Sequence, residues 1–252
     1  MSAESVTACV LLIGNELLSG RTQDANLAHL ATTLNEVGVS VREARVIPDV
    51  PEVIVSTLNE VRQRFDYVFT TGGIGPTHDD ITAECVAQAF AVPLIMNEEI
   101  AETIRGYAKV RGMSEAVLAA SLRMARVPEG ARLLPTAVGA PGFAMGNVHV
   151  MAGIPAVMQS MISKLAPTLA GARPVRSRSV GAYLGESTIA DALTALQNAF
   201  TDVDLGSYPF SEDGRYGTTL VARGTDEARL EAVAAALRTL IIDHGAEPLE
   251  RS

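Results

Sequence analysis

A chain of 252 residues with 48% hydrophobic and 19% charged side chains has the composition of a globular protein, far from disordered or fibrous extremes. Its 20 basic and 29 acidic residues give a net charge of −9, the wrong sign for a generic nucleic-acid binder, and it has no tryptophan for a single-strand stacking platform. Two cysteines, Cys9 and Cys85, are too few for a disulfide framework or a cysteine-rich zinc site.

The apolar run after the N-terminus is too short to span a bilayer, and no basic segment precedes it. No later run reaches membrane-helix length. The expectation is a reduced, soluble, cytoplasmic protein with neither nucleic-acid nor membrane partners. Val6–Ile13 is nearly all apolar and ends at Gly14, which reads as a buried parallel strand. Leu27, Leu30, Ala31, Leu34 and Val37 recur at helical spacing, and Gly38 closes that helix. Val39–Ile47 reads as a strand, 51–65 as an amphipathic helix and Tyr67–Thr71 as a third strand. This alternation marks a parallel sheet covered by helices on both faces.

Helical patterns follow at 79–91, Glu98–Arg111 and 114–125, then a Gly/Pro-rich loop at 139–146. Val148–Met151 reads as another buried strand, followed by a helix from Pro155 to about Leu165. Residues 1–170 therefore form one α/β domain, doubly wound around a mostly parallel sheet. After a linker at 171–174, residues 175–252 read as a small α+β domain. Its elements are strand 177–183, helix 186–199, strands 203–208 and 216–223, and helix 226–242.

The densest punctuation is Thr70-Thr71-Gly72-Gly73-Ile74-Gly75-Pro76-Thr77-His78-Asp79-Asp80-Ile81-Thr82-Ala83-Glu84, at the carboxyl end of a strand where open α/β sheets bind ligands. Gly72, Gly73 and Gly75 let the backbone approach an anion, and their N–H groups can form a nest. Thr77 or His78 is placed to cap the following helix. His78 reads first as a cap or polar wall and second as a general acid or base. Asp79 and Asp80 are favourable helix-starters on dipole grounds alone. They would also repel a phosphate unless a cation lay between. Asp80 and Glu84, at i and i+4, could share a helix face and hold hydrated Mg²⁺, or Glu84 could simply be solvated. There is no P-loop, no G-x-G-x-x-G after the first strand, no G-x-S-x-G elbow and no metal-binding histidine spacing.

The run Thr71 to Thr82 resembles the signature loop of MoaB/Mog-type molybdopterin-binding domains. Its Gly-Pro-Thr and double Asp are similar to the competence/damage-inducible protein A branch and to the N-terminal domain of eukaryotic FAD synthase. Ile13 to Gly20, Asp24-Ala25-Asn26, Val46 to Asp49, Pro128-Glu129-Gly130, Ala140 to Phe143 and Gly153-Ile154-Pro155 stand in the order such proteins show them. Departures are Asn15, where the bacterial branch commonly has Asp, and Ala152, where the family usually has Pro. Val180 to Ile242 resembles the small domain that follows in that branch.

The resemblance implies a doubly wound domain that binds a pterin or nucleotide phosphate. Members adenylylate molybdopterin, assist metal insertion, or hydrolyse ADP-ribose or FAD with a divalent cation. On matched positions it makes Asp80 and Asp49 catalytic. It places Glu16, Asn26, Gly72, Gly73, Gly75, Thr77, Asp79, Thr82, Gly153 and Pro155 at the substrate. Asp80, Asp49 and Glu84 are the candidate ligands for Mg²⁺, Mn²⁺ or Co²⁺. With neither an amidohydrolase nor a nucleotidyl-transferase segment in the sequence, nucleotide deamidation and FAD synthesis are not expected. The leading expectation is a metal-dependent pyrophosphatase for ADP-ribose, FAD or a related dinucleotide. The alternatives are a molybdopterin-binding protein without turnover and an interaction module built on the small domain. Related domains form dimers or trimers, so a homo-oligomer is expected.

Overall fold

Three of the expected strands, β1 (Val6–Ile13), β2 (Val39–Ile47) and β3 (Tyr67–Thr71), pair in parallel with β1 between the other two. Ala8 through Ile13 are at most 2% exposed, so successive side chains on opposite faces are all covered. The computed structural model describes residues 6–135 and 141–251. They divide between Ala172 and Arg173 into two compact units.

In the first unit, a short helix α1 (Asn15–Leu18) follows β1, and α2 (Asn26–Glu36) leads to β2. Helix α3 (Pro51–Arg64) leads to β3, and α4 (Thr82–Ala89) follows it. Strand β4 (Leu94–Met96), helices α5 (Glu98–Arg111) and α6 (Glu115–Ser121) and β5 (Arg126–Pro128) come next. The unit continues with β6 (Arg132–Leu133), β7 (Phe143–Met145), β8 (Val148–Met151) and α7 (Pro155–Leu165). The main sheet has the order β2-β1-β3-β8-β7-β6. Its first four strands are parallel, and β7 runs antiparallel to both of its neighbours, β8 and β6. Helix α2 packs with α7, and α3 with α4. Phe69 stacks on buried His149, 5.1 Å between ring centroids, and burial lowers the His149 pKa to about 4. Cys9 and Cys85 are buried free thiols, and burial pushes both up to about 11.

The second unit is an antiparallel sheet of order β10-β11-β9-β12. Its strands are β9 (Arg176–Ala182), β10 (Asp204–Glu212), β11 (Arg215–Gly224) and β12 (Leu249–Arg251), with helices α8 (Glu186–Ala199) and α9 (Glu227–Asp243). Val180, Leu220, Leu230, Val233, Leu237 and Ile241 form a core of its own. Strand β10 runs to Glu212, beyond the expected end at 208. The hairpin turns through Asp213 and Gly214, both at positive φ, a two-residue Asp-Gly turn that suits right-twisted strands.

Other expectations need correction. The helix expected from Asp79 begins at Thr82, because residues 77–80 close a turn of their own. Its N-cap is Ile81, with no side-chain cap bond, so neither Thr77 nor His78 caps it and Asp79 and Asp80 are not first-turn residues. Asp80 and Glu84 therefore do not share a helix face. The 114–125 segment is α6 followed by a 3₁₀ turn, Leu122–Ala125. Within the expected loop at 139–146, Phe143–Met145 is a strand paired with β8, while Gly139 and Ala140 lie outside the described residues. Among the described residues, no helix is long and apolar enough to cross a membrane.

Candidate functional site

The register aligns Leu12 with Thr71 and Thr71 with Met151, so β1, β3 and β8 end side by side. The chain passes from β1 to β2 on one side and returns to β3 on the other. The strand order thus reverses between β1 and β3, and ligands of open α/β sheets bind outside the carboxyl ends of strands at such a point. Three loops emerge there, led by Gly14, by Gly72-Gly73 and by Ala152-Gly153.

The glycine loop is fixed by close packing. Gly72 has φ +102° and Gly73 φ +66°. A β-carbon on Gly72 would overlap the Ile13 carbonyl oxygen, and one on Gly73 would overlap the Thr82 hydroxyl. Fully buried Thr82 staples the loop to α4: its hydroxyl donates to the Gly72 carbonyl at 3.0 Å and its N–H to the Gly73 carbonyl at 3.0 Å. The amide N–H groups of Ile74 and Gly75, by contrast, meet no acceptor among the described residues.

After the glycines, Thr77 donates its N–H to Asp80 Oδ2 at 2.8 Å. The Thr77 hydroxyl lies 2.5 Å from the same oxygen and 2.6 Å from Asp79 Oδ1, and its single proton can serve only one at a time. That contact holds the exposed Asp79 carboxyl below its usual range. His78 is almost fully exposed, 4.0 Å from Asp79.

Nine of the expected site residues line two clefts on either side of this loop, while Thr77, Asp79 and Thr82 line neither. Glu16, Asn26, Gly72, Gly153 and Pro155 line the first, together with Thr22 and Asp24, around about 360 Å³ that opens to solvent. Asn26 is buried; its Nδ2 donates to the Gly153 carbonyl at 2.8 Å, while its Oδ1 has no hydrogen-bond partner among the described residues. Gly73, Gly75, Asp80 and Glu84 line the second, a shallow cleft of about 270 Å³ that is mostly open to solvent, with Arg123 and Arg126. Glu84 accepts from Arg126 at 3.2 Å. Asp49 lines neither cleft; it accepts the Asn15 N–H at 2.8 Å and so holds the turn leading into α1.

Asp80, Asp49 and Glu84 thus do not converge. Among the described residues no group of three or more His, Cys, Asp or Glu side chains is placed to hold a metal ion. The second cleft fits a hydrated cation shared between Asp80 and a ligand's phosphate oxygens, the usual habit of Mg²⁺, but not a cage made wholly of protein. The two arginines have no counterpart among the expected site residues. Their signal is Arg-x-x-Arg at 123–126, about 50 residues from the glycines; Arg123 lies in the 3₁₀ turn and Arg126 opens β5, and both side chains line the cleft.

Comparison with known proteins agrees with this architecture. A family profile described as "Probable molybdopterin binding domain" matches residues 9–171, and one described as "FAD synthase, middle domain" matches residues 174–250. The chain is similar to a "Probable FAD synthase" of Caenorhabditis elegans, 30% identical over 264 residues that cover 94% of this chain and 50% of that protein. It is also similar to a "CinA-like protein" of Citrifermentans bemidjiense, 37% identical over 64% of this chain and 40% of that one. It therefore spans half or less of these two relatives. The crystal structure of CinA from Thermoplasma acidophilum, a protein of unknown function, superposes with a TM-score of 0.59 at 30% identity, covering 65% of this chain and 98% of that one.

Proposed function

Because the chain belongs to the molybdopterin-binding-domain family, in its CinA-like form, we propose that it is a divalent-metal-dependent pyrophosphatase acting on ADP-ribose, FAD or a similar dinucleotide. The observation that carries this reading is the second cleft. There Ile74 and Gly75, whose amides meet no acceptor among the described residues, line one space with two arginines and Asp80. Anion donors beside an acid are what hydrolysis of a pyrophosphate requires.

The glycine-loop amides and arginines bind and orient the pyrophosphate. Asp80 takes the proton of a water whose oxygen attacks one phosphorus. The bridging oxygen leaves with the other phosphate, giving AMP and ribose 5-phosphate from ADP-ribose, or AMP and FMN from FAD. A bound Mg²⁺, Mn²⁺ or Co²⁺, held by Asp80, would supply further neutralisation of phosphate charge. The first cleft offers the Glu16 and Asp24 carboxylates as acceptors for the hydroxyls or ring N–H groups of the rest of the ligand, with the buried, unpartnered Asn26 Oδ1 in its wall.

A second reading, a molybdopterin-binding protein without turnover, is favoured by one observation. Asp80 already accepts two contacts from Thr77, which ties its carboxylate into the loop. Incubating the protein with ADP-ribose and FAD, with and without each cation, and following AMP release separates the two. Metal-dependent AMP that disappears in Asp80→Asn supports the pyrophosphatase. No AMP with any cation, together with tight molybdopterin binding by calorimetry, supports the second reading.

A further inference from the structure

We propose that Arg123 and Arg126 are the anion-anchoring pair of the glycine-loop cleft, gripping a ligand's phosphate or pyrophosphate oxygens together with the Ile74 and Gly75 amides. The inference rests on the reading that this cleft takes a phosphorylated ligand, and it assigns the protein groups that make such binding possible. Asp80 and Glu84 put two negative charges on the cleft wall, which would repel a phosphate. The chain has only two lysines, Lys109 and Lys164, and neither lines this cleft. Arg123 and Arg126 do line it and balance the two carboxylates.

The pairing pattern distinguishes the two arginines. Arg126 reaches Glu84 through one nitrogen at 3.2 Å, and the two side chains are 42% and 38% exposed. An exposed, single-contact ion pair is weak, so the guanidinium can exchange Glu84 for a phosphate at little cost and still offer a planar fork of donors. Arg123 makes no ion pair among the described residues. Such a guanidinium, on the same wall as two unpaired backbone amides, is a set of anion donors without an acceptor. Glu84 becomes a positioning residue that holds Arg126 at the cleft while no ligand is present.

The test uses inorganic phosphate and pyrophosphate as probes, with the full chain in EDTA, so that no metal contributes. Binding is followed by calorimetry at several salt concentrations. The wild type binds pyrophosphate, and Arg123→Ala weakens it about tenfold or more, the loss expected for a charge-assisted hydrogen bond. Arg126→Ala does the same, and Arg126→Lys restores part of the affinity. Each loss flattens the salt dependence, which a purely structural change would not do. Glu84→Gln, which releases Arg126, binds the anion more tightly. A preference for pyrophosphate points to a dinucleotide, and equal binding of both anions to a phosphomonoester; in both cases the arginine variants must lose affinity. Pyrophosphate that does not bind the wild type without metal, or binds Arg123→Ala and Arg126→Ala unchanged, overturns the proposal. Arg123→Ala breaks no ion pair, so its folding is not in question. Failure of the wild type to release AMP from dinucleotides would instead count against the pyrophosphatase and leave this binding result standing.

Discussion

The two clefts beside the glycine loop share a wall but differ in charge. The first is lined by Glu16, Asp24, Asn26 and Thr22 with no basic residue, whereas the second sets Arg123 and Arg126 against Asp80 and Glu84. A phosphate placed in the first would face two carboxylates with no cation beside them, and in the second it would face two carboxylates balanced by two guanidinium groups. The difference teaches a division of labour across one loop. On the proposed function, the anionic part of the ligand would sit on the arginine side, and its neutral, hydroxyl-bearing or ring part on the asparagine side.

The largest expected effect comes from the shared wall itself. Gly72→Ala places a β-carbon on the Ile13 backbone at φ +102°, so about 1–3 kcal/mol of strain adds to steric overlap, and denaturant unfolding should show a lowered midpoint. Gly73→Ala, at φ +66°, drives its β-carbon first into the Thr82 side chain rather than into backbone and should cost less, though it disturbs the staple to α4. Both variants blur the distinction between the clefts, since both deform the loop between them.

Acid unfolding tests the core of the main sheet, where His149 packs against Phe69. Folding buries His149 as the neutral base, with its pKa lowered from 6.5 to about 4 by loss of hydration. The unfolded chain then binds the extra proton between those values, so stability is full above about pH 6.5 and falls as pH drops toward 4. The shift corresponds to about 3 kcal/mol. A His149→Phe variant should lose this part of the acid sensitivity, and Arg123→Ala should keep it.

Asn26→Ala sharpens the first cleft. It removes the buried Nδ2 bond to the Gly153 carbonyl and the unpaired Oδ1 together, and should lower stability by about 1–3 kcal/mol. It should weaken a dinucleotide more than inorganic pyrophosphate. The smallest stability effect belongs to Asp80→Asn, which keeps an oxygen for the Thr77 N–H and should change unfolding by less than about 1 kcal/mol. That variant should nevertheless abolish AMP release.

What could be read before the structure follows the same physics. Strands β1 and β8 are central, buried on both faces and almost continuously apolar, so they announce themselves. Helices α5 and α7 show their ends through Asn97, which caps by accepting the Ile100 N–H, and Pro155 at the first turn. Strands β4 to β7 are only two or three residues long, which leaves no alternation to read. The start of α4 is not legible because Asp79 and Asp80 have the composition of a first turn, while the Thr77–Asp80 bonds that claim those residues are short-range and carry no periodicity. The Asp213-Gly214 pair is a hairpin signal in the sequence, and it sets the end of β10 at Glu212. For the site, the glycines mark the wall, but its partners are remote. Arg123 and Arg126 reach the cleft only because α5, α6 and the 3₁₀ turn bring the chain back to the loop.

The most direct test is a crystal structure of Asp80→Asn with ADP-ribose bound. The account predicts the pyrophosphate against Ile74, Gly75, Arg123 and Arg126, with the remainder of the ligand crossing the glycine loop toward Asn26. A pyrophosphate lodged instead beside Glu16 and Asp24, with the arginines uninvolved, would contradict it.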